Sequence, residues 1–324
     1  MKNLATTLYC IAKNTFIETV RQPVYAIIII AAVLLYILAP FITMYTLDED
    51  IKLLRELGLS TLFLAGLFIA VFSATGAITE EIETKTITTI LSKPVPRPIF
   101  ILGKFTGVAC AVIIAHYLLT ATYLLTIRFG VLETVSDEPD MPVVFIGSFI
   151  LLASLIISAF LNHTYDFSFS ASAILTAAIL SILGLLFLTF IGKEWQIGPF
   201  ISSFNRFDIY ASLLLLLGTL ILVAVAVLFS SRFNVVLTLT FCIIVFMLGL
   251  ISDWVASQYA AKYLWAQAYT ALLPNLQVFW VSDAIYENGS VPASYLLKGL
   301  AYSACYTTGI LALSVALFQR RQVG

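Results

Sequence analysis

Seven charged residues crowd into one stretch, ITEEIETKTITTILSKPVPRPIFILGKF, which runs from Ile78 to Phe105: Glu80, Glu81, Glu83, Lys85, Lys93, Arg97 and Lys104. Both signs are present, and Pro94, Pro96 and Pro98 follow the charges. Such a set suits charge-assisted contacts with another protein better than bond-making chemistry. The residues that would do bond-making chemistry are sparse. Only two histidines occur, His116 and His163, and the cysteines Cys10, Cys110, Cys242 and Cys305 lack CxxC spacing. Three of the four lie in apolar runs and are expected to be small buried hydrophobes. There is no HExxH zinc pattern, no GxSxG elbow and no GxxxxGK[ST] phosphate loop. No catalytic residue, metal site or cofactor is therefore expected, and any ATP hydrolysis must reside in another chain.

The elements around this stretch are set by composition. Of the 324 residues, 61% are hydrophobic and 11% charged; a soluble domain carries about 25% charged residues. Mean hydropathy is +1.02. A soluble core cannot hide that much apolar surface, so the solvent must be a lipid bilayer. A net charge of −1 gives no reason to expect nucleic acid. A span needs about 20 mostly apolar residues. Eight stretches qualify: Val24–Leu47, Leu57–Ile78, Lys104–Ile127, Val143–Leu161, Ala171–Ile191, Tyr210–Ser230, Phe233–Ile251 and Tyr295–Phe318. The first is too long for a cleavable signal sequence and reads as a retained span. The fourth and fifth form the pair in which one member could be re-entrant.

Orientation follows from lysines and arginines in the short loops. With the N-terminus inside, ten lie on the cytoplasmic side and seven outside, which together are the 17 of the chain. Both termini are then cytoplasmic. Residues 1–22 read as an amphipathic interfacial helix, with Leu4, Leu8, Ile11, Phe16 and Val20 on one face and Pro23 ending it. Residues 252–294 form a long outer connection rich in Trp and Tyr, expected to hold short helices along the outer surface. His116 is the main polar residue within the spans. It reads as a helix-packing histidine, with substrate or proton contact the alternative. The spans otherwise lack the polar relay of a proton- or sodium-driven transporter.

Thr79 is a plausible N-cap for a short cytoplasmic helix, with Glu80, Glu81 and Glu83 in its first turns, where the dipole favours anions. Glu81 and Lys85 can pair, and the prolines stiffen the return to the membrane. A rigid charged helix on a tight connection could pass force from a soluble partner to the spans; an ordinary solvated loop is the plain alternative.

The same residues resemble the signature of type-2 ABC transporter permeases, in which an E-x-E-x-G-T element leads into L-S-x-P-V-x-R and a G-K. Here Glu81, Glu83, Thr86, Leu91, Ser92, Pro94, Val95, Arg97, Gly103 and Lys104 fit, with Lys85 where the family has glycine. The resemblance implies an all-α polytopic protein of the cell (inner) membrane, one permease domain over residues 1–324. Its amphipathic elbow helix would be 1–22, and its cytoplasmic coupling helix would lie in 79–103. It further implies a separate ABC ATPase subunit, a second permease copy (homodimer or related heterodimer), and export driven by ATP. The contacts to the ATPase would be Glu80, Glu81, Glu83, Lys85, Thr86, Leu91, Ser92 and Arg97. Six spans are usual in the family, so eight are a departure. The alternative function is a non-transporting membrane assembly or anchoring protein.

Overall fold

The computed structural model describes residues 4–43, 50–83, 96–131, 138–198, 204–259, 262–281 and 291–319, without the side chains of 80–83. Among them are ten α-helices: α1 (Leu4–Arg21), α2 (Pro23–Thr43), α3 (Asp50–Glu83), α4 (Arg97–Phe129), α5 (Met141–Tyr165), α6 (Phe169–Thr189), α7 (Arg206–Ser230), α8 (Val235–Tyr259), α9 (Leu264–Leu272) and α10 (Ala293–Gln319). Eight, α2 to α8 and α10, are long and apolar enough to cross a membrane. They coincide with the eight expected spans, and the chain is an all-α polytopic membrane protein. Helices α3 and α7 form the centre, whereas α5, α6, α8 and α10 turn most of their surface outward.

Lipid tails are as apolar as leucine, so helices associate here through close packing and interhelical hydrogen bonds. Two tyrosines fasten α2: Tyr25 donates to the Ala111 carbonyl at 2.8 Å and Tyr36 to the Gly58 carbonyl at 3.1 Å. Pro40, inside α2, has no N–H for the Tyr36 carbonyl, and Thr126 on α4 donates to that carbonyl at 3.4 Å instead. Small residues set the closest seam. A side chain at Gly103 would strike Ile11, and one at Gly107 would meet the Ala12 carbonyl and Thr15 at 2.6 Å. Helix α1 therefore lies lengthwise against the first half of α4. Thr15, Thr19 and Val20 are buried, while Leu4, on the apolar face that the sequence gives an interfacial helix, is 52% exposed.

Four expectations need correction. Helix α3 begins at Asp50, ahead of the expected span start at Leu57, and runs unbroken to Glu83, so Thr79 is an interior residue and not an N-cap. Its 34 residues and the 33 of α4 make each about 50 Å long, against a hydrocarbon core of about 30 Å. Helices α5 and α6 both run the full depth: Asp140 before α5 and the Leu188 carbonyl near the end of α6 meet the same Arg128. Three cysteines, Cys10, Cys110 and Cys305, are exposed and only Cys242 is buried. An apolar run shows that a residue sits in lipid depth; it does not show which way the residue faces.

The re-entrant element lies in 252–294 instead. Helix α8 continues to Tyr259, then α9 and a 3-10 turn (Gln277–Phe279) fold back into the bundle. Leu276 N donates to the Gly249 carbonyl, the middle of α8, and Phe279 lies against Gly218, the middle of α7. Non-helical backbone survives at this depth only where protein satisfies it. Tyr302 accepts from Asn275 N at 2.8 Å, Tyr295 donates to the Val278 carbonyl at 2.7 Å, and Tyr306 donates to the Leu272 carbonyl at 2.6 Å.

Candidate functional site

The described residues on either side of the charged stretch, the end of α3 and the start of α4, are both fastened to other helices. Glu80, Glu81 and Glu83 close α3 as its last turn. Lys85, Thr86, Leu91 and Ser92 lie outside the described residues. Just before the glutamates, Thr79 donates to the Ser230 carbonyl at 3.1 Å at the end of α7. After the stretch, Arg97 binds the Phe318 and Gln319 carbonyls, the last turn of α10. Phe100 stacks on Phe318 with ring centres 5.7 Å apart, and Lys104, buried, places its ammonium 5.7 Å from the Phe100 ring centre. Arg232, in the α7–α8 turn, donates to the Leu317 carbonyl at 2.6 Å. The ends of α3, α7 and α10 and the start of α4 thus form one interlocked corner. Loose C-terminal carbonyls of α10 are satisfied by two guanidinium groups, a favourable match of positive charge to a helix C-terminus. A push on the stretch would reach four helices at once.

The opposite end of the bundle carries a polar set that sequence reasoning missed. Arg55 on α3 lies 3.2 Å from Asp208 on α7, and Tyr123 on α4 donates to the same carboxylate at 2.8 Å. Beside it Arg128 pairs with Asp140 at 3.0 Å and donates to the Leu188 and Ile191 carbonyls. Both aspartates are almost fully buried. A charge in this position is costly unless paired, so the pairs specify how helices α3 to α7 meet. The available signal was positional: each of these residues except Tyr123 lies within three residues of an expected span boundary, and Arg128 and Asp140 bracket the connection between two spans. Midway between the ends, His116 Nε2 donates to the Ser212 carbonyl at 2.9 Å and joins α4 to α7. That is the helix-packing arrangement the sequence suggested, although Nδ1 is buried without a partner.

Residues 9–165 match the family described as ABC-2 family transporter protein. The match spans α1 to α5 and includes the charged stretch. The resemblance carried by Glu81, Glu83, Leu91, Ser92 and Gly103 is therefore shown over this part of the chain, and it supports an ABC-2-type permease: a membrane-spanning component of an ABC transporter. No curated protein matches the chain.

Proposed function

We propose that this chain is the membrane subunit of an ATP-driven exporter, moved by a separate ABC ATPase that docks on the stretch between α3 and α4. The observation that carries this reading is the anchoring of that stretch at both ends within a region matching the ABC-2 family. Glu80, Glu81, Glu83, Lys85, Thr86, Leu91 and Ser92 are the contacts offered to the ATPase. Arg97 joins them from a fixed position, because α10 already holds its guanidinium. Docking there would place the ATPase on the cytoplasmic side with both termini of this chain, in the cell (inner) membrane. A second permease subunit, identical or related, would complete the pathway. The anchoring-protein alternative was motivated by a dearth of polar groups in the spans, and a complex that contains no ATPase subunit would favour it.

The test is co-purification with the ATPase encoded beside this chain and measurement of ATP turnover in the complex. Reversing Glu80, Glu81 and Glu83 to lysine is expected to abolish co-elution while leaving the melting temperature of the isolated subunit unchanged. Intact binding and intact stimulated turnover in that variant would defeat the docking assignment.

A further inference from the structure

The Arg55–Asp208 and Arg128–Asp140 pairs flank a cavity of about 220 Å³, lined by Arg55, Leu124, Ile127, Arg128, Phe204, Asn205 and Asp208. The two arginines differ in what they have left to give. Arg128 places its donors on Asp140 and on two carbonyls. Arg55 does not. Its Nε sits 3.2 Å from Asp208 but is buried without an aligned hydrogen-bond acceptor. Its two outer nitrogens make no hydrogen bond among the described residues. Nε alone is buried, and the side chain as a whole is 22% exposed, so the outer nitrogens form an accessible donor fork at the rim of the cavity. A second open donor faces the same space: Asn205 uses its carbonyl oxygen to cap α7 at Phe207 N, 3.0 Å away, which leaves its amide NH₂ free among the described residues. The first turn of α7, with its positive dipole end, borders the cavity as well. Asp208 counters part of the positive charge, yet one of its oxygens already takes both Tyr123 and Arg55. Leu124, Ile127 and Phe204 make the remaining wall apolar.

We infer that this cavity binds a small oxyanion carried on an apolar tail, a phosphate or carboxylate headgroup held by the open fork of Arg55 and the amide of Asn205. The planar guanidinium matches two oxygens of such a group, which a lysine ammonium cannot do. The apolar wall receives the first carbons of the tail. The assignment goes beyond the transport reading and stands or falls separately from it, because binding is measured with no ATPase present.

The full chain in detergent is titrated with dihexanoyl phosphatidic acid, with inorganic phosphate and with dihexanoyl phosphatidylcholine, and binding is followed by calorimetry. The phosphatidic acid is expected to bind, and the phosphatidylcholine more weakly. Arg55→Lys, which keeps the charge beside Asp208 but loses the fork, is expected to weaken binding about tenfold or more. Ile127→Trp fills the cavity without touching either ion pair and is expected to abolish binding. It decides the matter alone if Arg55→Lys does not fold. Inorganic phosphate binding weaker than phosphatidic acid supports the apolar tail; inorganic phosphate binding as tightly, with the same dependence on Arg55, assigns the site to a free oxyanion and overturns the inference as stated. Absence of binding by both anions, equal binding of phosphatidylcholine, or undiminished binding in a folded Arg55→Lys or Ile127→Trp chain overturns the inference.

Discussion

Arg128 shows what one side chain does in this bundle. It is 10% exposed and reaches Asp140 before α5, Leu188 in α6 and Ile191 beyond it. Removing one member of a buried pair leaves the other charged and unpaired, which costs about 3–5 kcal/mol. Arg128→Met is therefore expected to destabilise the subunit by about 3 kcal/mol or more, read as a large fall in melting temperature in detergent. The double change Arg128→Met with Asp140→Leu should recover much of that loss, since no charge is then stranded. A double variant no more stable than Arg128→Met would show that the carbonyl contacts, and not the ion pair, matter most. None of this was legible in the sequence. Arg128 and Asp140 are separated by a connection, and only the fold tells a buried arginine at a span boundary from one in headgroups.

At the scale of elements, the seam between α1 and α4 depends on two missing side chains. Gly103 and Gly107, one turn apart, let the α1 backbone approach until a methyl group would clash. Gly107→Leu should overpack the seam at a cost of about 1–3 kcal/mol. Amide exchange in α1 is expected to rise while α7 stays protected. Unchanged exchange in α1 would mean that it docks through other contacts. The sequence marked α1 as a helix correctly, because Pro23 and the apolar spacing are local signals. It did not mark α4 as the partner, because the seam is made by Gly103 and Gly107 meeting Ile11, Ala12 and Thr15 and not by a stripe of large apolar residues. Span positions were legible for the same local reason. The extra turns of α3 at both ends were hidden by their charges: Arg55 there is matched by Asp208, 153 positions away along the chain.

For the whole molecule, orientation is the property on which the docking proposal rests. In a variant without native cysteines, a cysteine placed at Arg232 should resist a membrane-impermeant maleimide in intact cells, and one placed at Lys193 should react. Both native residues are exposed in the fold, so accessibility reports the side of the membrane and not burial. The opposite labelling would turn the bundle over and remove the charged stretch from the cytoplasm. The candidate docking stretch was the most legible functional feature, since its charges stand out against greasy surroundings. The cavity at the other end was the least legible, since its four polar lining residues, Arg55, Arg128, Asn205 and Asp208, come from three separate segments.

The backward fold after α9 bears on the order in which the chain can be completed. Its backbone at mid-depth relies on three tyrosine hydroxyls, and all three, Tyr295, Tyr302 and Tyr306, belong to α10. Until α10 enters the membrane, Leu272, Asn275 and Val278 have no such partners in the lipid. A helix made after the segment is thus the one that seats it. A nascent chain halted ahead of Tyr306 would hold Leu272–Phe279 at the headgroups, where quality control can reach it.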